Sequence, residues 1–329
     1  MSNELSTTKI NHHEYSFYPI HHQTLLNKYK QQLSVLWTPE AVDMSKDREE
    51  WDTLSPQIQD FMKFWLAFFS QADGIICENL MENFQQDIQR LNIKEAGYFY
   101  AVQNLIEVIH NETYSLMIET VIRDIIERDK LRNAIDNFPA VAEITKWTCK
   151  WMDPSYPLLE RLVAFSCVEG IFFTGAFAAV YWIKQKNKLK GICLANEWIA
   201  RDERMHTEFA FNLYEVLVKD YNLEQVKHER IKEIISSAMD AAEIFIRKAL
   251  NVELIGLTAD DMVCYVKCTA DSVAQGFGID KIYNMNNPFI WMLNIALPNK
   301  SNFFEKRTTE YARIGSEISY ELYDDDLVW

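Results

Sequence analysis

Breakers are scarce in this chain: 329 residues hold only 9 Gly and 8 Pro, which favours long helices over many short strands joined by tight turns. No stretch alternates apolar and polar residues in the manner of a half-buried strand. There is no C-x-x-C pair; Cys77, Cys149, Cys167, Cys193, Cys264 and Cys268 are scattered, several in apolar helical stretches where a thiol acts as a small hydrophobe. That usage fits a reducing, cytoplasmic setting. The amino terminus, MSNELSTTKINHHEYS, lacks an apolar core, so no secretory signal is expected. Fixed-period repeats, low-complexity linkers and Lys/Arg-rich runs are also missing. The last absence leaves the formal net charge of −15 unrelieved, and such a surface repels phosphate, so nucleic acid is not an expected partner.

One long apolar run is present. Leu162–Ile183 reads LVAFSCVEGIFFTGAFAAVYWI, with Glu169 as its single charge. It is long enough to cross a bilayer. Its neighbours are amphipathic and no second such run exists, so the expectation is the central helix of a large bundle rather than a membrane span. Buried there, Glu169 needs a partner, and a metal ion would supply one.

The periodicity predicts a helix opened by Ser55-Pro56 and running to about residue 86, then helices near 93–120, 123–137, 140–151, 157–186, 193–219, 223–250 and 258–276. Breaks are expected at Asn92, Phe138-Pro139, Asp153-Pro154, Gly191 and Gly256. Thr38-Pro39-Glu40 carries the signature of a helix start, and the chain up to about Asn27 reads as mixed and extended.

Two Glu-x-x-His pairs, Glu107-Val-Ile-His110 and Glu203-Arg-Met-His206, stand in the middle of predicted helices. Residues three apart share a helix face, so each pair presents a carboxylate beside an imidazole. Two such faces, joined by one further acid from each of two other helices, make a di-metal carboxylate centre. Four carboxylates and two neutral imidazoles offset two divalent cations, and this donor set suits iron or manganese. Asp73 and Glu169 are the candidate extra acids; Glu78 competes with Asp73, and Asp202 and Glu208 compete with Glu169 and Glu203. Salt bridges from these acids to Arg161, Arg201 or Arg204 are the metal-free alternative. The other five His, at 12, 13, 21, 22 and 228, read as solvated surface.

Tyr114 follows His110 by four residues and falls on the same stripe, where a phenol beside an oxygen-activating metal pair is oxidisable. Phe173 and Phe177 lie four and eight residues after Glu169, and Ile199 lies four before Glu203. Each spacing returns to the ligand face and could wall the centre off from water.

The segments ADGIICENL, EVIHNETYS, LVAFSCVEGIFFTGAFA, NEWIARDERMH and NFFEKRTTEYARIG closely resemble the small, radical-generating subunit of class I ribonucleotide reductase of the eukaryotic and viral type, from about Phe17 to the tail. The resemblance implies an all-α, ferritin-like bundle with additional helices, and a homodimer. It implies a di-iron centre formed by Asp73, Glu107, His110, Glu169, Glu203 and His206, with manganese as the other metal, and settles Asp73 over Glu78. It further implies that O2 drives formation of a radical on Tyr114, and that Trp37, Asp202 and Tyr311 carry the oxidising equivalent to a large subunit. Residues 1–306 are then the helical domain, and residues 307–329 a flexible acidic tail for docking. That tail closes on Tyr323-Asp-Asp-Asp-Leu-Val-Trp329, where the family commonly closes on Phe. A stand-alone di-iron oxidase, an iron store and a metal-free scaffold are the competing readings.

Overall fold

The computed structural model describes residues 15–250, 254 and 256–289. Among them lie α1 (Gln23–Ser34), α2 (Asp47–Trp51), α3 (Pro56–Asn79), α4 (Gln85–Leu91), α5 (Lys94–Val121), α6 (Ile125–Arg132), α7 (Ala134–Asn137), α8 (Pro139–Met152), α9 (Leu158–Cys167), α10 (Phe173–Gln185), α11 (Lys190–Lys219), α12 (His228–Ala249) and α13 (Ala259–Gly276). Two π-helical segments, Leu80–Phe84 and Val168–Phe172, join α3 to α4 and α9 to α10. No strand occurs among the described residues; the β feature there is a single antiparallel bridge between Leu254 and Leu257.

Four long rods form the centre: α3, α5, the α9–α10 rod, and α11. α3 packs on α5, and α11 packs on α5, α9 and α10, while α12 and α13 cover the outer side of the α9–α10 rod. The apolar run from Leu162 to Ile183 lies within that rod. In the most apolar window of Leu158–Gln185, 89% of residues are buried, so its hydrophobicity serves the bundle core. Gly170 allows this closeness: a Cβ there would stand 2.8 Å from Val273 Cγ2 on α13 and 3.3 Å from Thr207 Cγ2 on α11.

Local chemistry explains several helix ends. The Ser55 hydroxyl accepts from the Ile58 N–H, with Pro56 in the first turn. Asn92 is left-handed, φ 57°, and stops α4. The Thr258 hydroxyl caps α13 through the Asp261 N–H.

Five expectations need correction. The chain before Asn27 is not extended throughout, since α1 starts at Gln23. Thr38-Pro39 opens only a 3-10 turn, Pro39–Ala41, and Thr38 makes no cap bond. The predicted 223–250 helix begins at His228, and the predicted 123–137 helix is split at Asn133. Gly191 does not break the chain. It lies in the first turn of α11, where the buried Asp47 carboxylate accepts from the Gly191 N–H at 3.2 Å and the Ile192 N–H at 2.7 Å. Glu50 accepts from the Leu189 N–H at 2.6 Å. A carboxylate supplied by another element thus satisfies amides that a free helix start leaves orphaned. The predicted tail, residues 307–329, lies outside the described residues, as does Tyr311.

Candidate metal centre

α5 presents Gln103, Glu107, His110 and Tyr114 at intervals of four, three and four, one continuous stripe facing the bundle axis. α3 brings Phe69 and Asp73, α11 brings Trp198, Asp202, Glu203 and His206, and the π segment Val168–Phe172 brings Glu169. An interrupted helical ladder is a frequent mark of a functional position, because the wider turn re-aims one side chain. Asp73, Glu107, His110, Glu169, Glu203 and His206 are all at most 1% exposed. Glu78 is exposed.

Donor atoms of Glu107, Glu169, Glu203 and His206 all lie within 4.8 Å of one another, as do those of Asp73, Glu107 and His110. Glu107 belongs to both groups, as a bridging carboxylate would. His206 Nδ1 lies 2.7 Å from Glu203 Oε2 and 3.0 Å from Glu107 Oε1. His110 Nδ1 lies 3.0 Å from Glu203 Oε1 and 3.4 Å from Glu107 Oε2. Gln103 Nε2 donates to Glu169 Oε1 at 3.1 Å and Glu107 Oε1 at 3.3 Å, tying two of the acids together.

The electrostatics are those of a cluster waiting for positive charge. Burial, then the neighbouring charge of Glu107, pushes the Asp73 carboxyl well above its ordinary range. Burial, then Glu203 and Glu107, does the same to Glu169. Burial acts upward on Glu203 too, but His206 and His110 outweigh it and hold that carboxyl below its usual range. Burial disfavours a charged His206, yet Glu107 and Glu203 lift it to about 9; His110 is raised well above its normal value in the same way. Both Asp73 oxygens and Glu169 Oε2 are buried without a hydrogen-bond partner, while Glu107 Oε2 and Glu203 Oε1 share His110 Nδ1 as a neighbour. Unpaired carboxylate oxygens at this depth are costly, and divalent cations would satisfy them. The donor set therefore fits a metal pair. Of the arginines in the salt-bridge alternative, Arg161 pairs with Asp87 and Arg201 with Asp202.

Tyr114 is 1% exposed and stacks on Phe69 with ring centroids 4.3 Å apart and planes 3° from parallel. Phe173 and Phe177 stack in turn on Phe69, at 6.0 and 5.6 Å. The three Phe rings pack on one another, and Phe69 lies against the phenol. Ile199 is fully buried on α11. Burial, then the charges of Asp73, Glu203 and Glu107, pushes the Tyr114 hydroxyl well above its ordinary value, so it stays protonated.

Behind His110, Asp202 Oδ2 lies 3.3 Å from His110 Nε2 and accepts from Trp37 Nε1 at 2.8 Å. Its other oxygen accepts from Gln32 Nε2 at 3.3 Å and Arg201 Nη2 at 3.1 Å. Trp37 also lies over the His110 ring at 6.0 Å. Sequence reasoning missed Phe69, Gln103, Gln32 and Trp198. The first two were accessible, since each stands four residues before a named ligand; the last two depend on how α1 and the Trp37 segment fold back on α11. A cavity of about 410 Å³ opens beside Glu169 and Glu203, with Phe177, Tyr181, Arg201 and Arg204 in its wall. Of the expected surface His, His22 is half-buried and bonds the Tyr221 hydroxyl at 3.2 Å.

An all-helical bundle with two opposed Glu-x-x-His faces and two further buried acids defines the ferritin-like carboxylate–histidine class of metal-site proteins. Within that class, residues 14–288 match the sequence family described as ribonucleotide reductase, small chain. The ribonucleoside-diphosphate reductase small chain of Nicotiana tabacum is 41% identical over 299 residues, covering 91% of this chain and 88% of the relative. The small chain of Vaccinia virus (strain Ankara) is 41% identical over 305 residues, 93% of each. The ribonucleotide reductase Rnr4 homodimer of Saccharomyces cerevisiae superposes with a TM-score of 0.75 at 28% identity, covering 85% of this chain and 87% of that one. At 20% identity, the R2 subunit from Clostridium botulinum shares the fold, with a TM-score of 0.76 over 84% of this chain and 89% of its own. The chain belongs to the ribonucleotide reductase small-chain family, and so to an oxidoreductase in which a small subunit works with a large one.

Proposed function

We propose that Asp73, Glu107 and His110 hold one iron ion, and that Glu107, Glu169, Glu203 and His206 hold a second, with Glu107 shared. The observation that carries this is the set of buried donor atoms converging from α3, α5, the π segment and α11, with the Asp73 oxygens and Glu169 Oε2 unpartnered. Manganese fits the same donors. An iron pair held there would, once oxidised by O2, supply an oxidising equivalent. Tyr114 would pass one electron to that oxidised pair and its phenolic proton to a base beside it, and so become the stored radical. The Phe69, Phe173 and Phe177 rings exclude water from it, which prolongs its life. Gln103 holds Glu107 and Glu169 in position, and Asp202 fixes the His110 ring by accepting at Nε2. Trp37, hydrogen-bonded to the same Asp202 oxygen, is the next oxidisable group outward, and Tyr311 is the one after it.

The equivalent reaching the large subunit starts the reduction of ribonucleotides to deoxyribonucleotides. Residues 307–329, acidic and ending in aromatics, are the docking tail. Two copies pair through the outer side of α5, where Leu105, Val108 and Leu116 stand exposed. The cytoplasm is the setting, and neither nucleic acid nor a membrane is a partner. A stand-alone oxidase is not favoured, because the relatives matched over most of the chain are reductase small chains.

Ferrous iron and O2 added to metal-free protein give, on this reading, a tyrosyl radical by electron paramagnetic resonance. Ribonucleotide reduction with a large subunit then depends on residues 307–329. No radical, or undiminished turnover after removal of that tail, overturns the assignment.

A further inference from the structure

We propose that Cys264 and Cys268 form a two-coordinate site for a thiophilic monovalent metal ion, Cu(I) in class, separate from the carboxylate–histidine centre. The two thiols stand four residues apart on α13, about one helical turn, so they share a face. It is not the face that α13 buries in the bundle through Met262, Val266 and Ala270, and both thiols are half-buried. The segment after α13 folds back over them. Asp271, 1% exposed, pins that segment by accepting from the Ile282 and Tyr283 N–H groups, each at 2.8 Å. Cys268 Sγ donates to the Met285 carbonyl at 3.1 Å, and Cys264 Sγ to the Asn286 carbonyl at 3.3 Å. Both sulfurs are thus aimed at adjacent carbonyls of one surface segment. Cys167 and Cys193, by contrast, are buried and act as core.

A disulfide does not suit the pair. Side chains one turn apart on a helix have Cβ atoms about 5–6 Å apart, and a disulfide needs about 3.5–4.5 Å. An ion between the sulfurs spans the wider gap. Among the described residues, no third His, Cys, Asp or Glu completes a close ligand group with the two thiols. Zinc takes four ligands, and iron suits the oxygen and nitrogen donors of the other centre, whereas Cu(I) is soft and is satisfied by two thiolates. Burial, then the Cys264 thiol and Asp271, pushes the Cys268 thiol up to about 11, against the opposing cation of Lys281. On binding, each thiol gives one proton to solvent, two S–Cu bonds form, and copper stays Cu(I). The resulting unit carries one negative charge, which Lys281 offsets. The two S–H···O=C bonds given up are weak and solvent-exposed, so their loss costs little, and Asp271 still holds the segment.

The test titrates full-length protein, reduced and anaerobic, into Cu(I) buffered by a chromogenic chelator such as bathocuproine disulfonate. Wild type withdraws a single equivalent per chain, and withdraws it more readily as pH rises, because the ion displaces protons. Cys264→Ser and Cys268→Ser each abolish that uptake, while Cys149→Ser, at an exposed thiol on α8, keeps it. Wild type alone gives a second readout that needs no variant to fold. Bound Cu(I) shields Cys264 and Cys268 from alkylation, as mapped by mass spectrometry, and X-ray absorption at the copper edge shows sulfur neighbours only. No uptake from the chelator, uptake retained in either of these two serine variants, or shielding of other cysteines in place of this pair overturns the proposal. None of these readouts depends on iron or on the Tyr114 radical.

Discussion

Asp202→Ala is the most informative single perturbation outside the ligand set. Five hydrogen-bonding contacts meet this fully buried carboxylate: Trp37 Nε1 at 2.8 Å, His110 Nε2 at 3.3 Å, Gln32 Nε2 at 3.3 Å, and Arg201 through Nε at 3.2 Å and Nη2 at 3.1 Å. Arg201 is 30% exposed and can rehydrate, so its loss costs little. The other three donors are buried, and each costs about 1–3 kcal/mol when left unpaired, giving a destabilisation of about 3–9 kcal/mol. Asp202→Asn behaves differently. Its carbonyl oxygen can keep Trp37 and His110, and its amide can donate to Gln32 Oε1, which has no partner in the wild type. The loss then falls mainly on the Arg201 pairing, about 1 kcal/mol. Both variants remove the charge that orients and polarises His110, so metal affinity falls about 10–100-fold. Denaturant titration of the metal-free proteins gives the first quantity and competitive metal titration the second. A cost for Asp202→Ala below about 1 kcal/mol would refute the claim that these donors depend on this carboxylate.

Other consequences are equally direct. Tyr114→Phe keeps the stack on Phe69 and the metal content but abolishes the tyrosyl signal; an unchanged spectrum assigns the radical elsewhere. Metal loading releases protons, because Asp73 and Glu169 are raised and His206 titrates near 9 in the metal-free protein. Each of these groups must lose its proton to bind a metal, so apparent affinity rises with pH, and a pH-stat that records no proton release contradicts the cluster electrostatics. In the metal-free protein the raised His206 has the opposite consequence: its contribution to folding is complete below the ordinary imidazole range and is lost as pH rises through about 9. Gly191→Ala sets a Cβ 2.4 Å from the Asp43 carbonyl oxygen, a backbone atom that cannot swing aside, and destabilises by about 1–3 kcal/mol on denaturant titration.

Much of the bundle was legible because α3, α5, the α9–α10 rod and α11 carry long, unambiguous apolar periodicity, and because Asn92 and Ser55-Pro56 mark ends by local chemistry. The stripe Glu107, His110, Tyr114 follows from helical spacing alone. What escaped is what spacing does not encode. The π segment that re-aims Glu169 leaves no compositional mark. Gly191 reads as a breaker until a carboxylate from α2, distant in sequence, is found capping its amide. The contacts of Gln32 and Trp198 with Asp202 and Trp37 exist only once α1 and the Trp37 segment pack against α11. The choice between Asp73 and Glu78 was open on chemistry and rested on family resemblance; burial of the first and exposure of the second is a fact of packing.

Anomalous diffraction at the iron edge from crystals grown anaerobically with ferrous iron tests the central proposal most directly. The account predicts two peaks, one against Asp73, Glu107 and His110 and the other against Glu107, Glu169, Glu203 and His206. A single peak, or iron bound away from these six side chains, would contradict it.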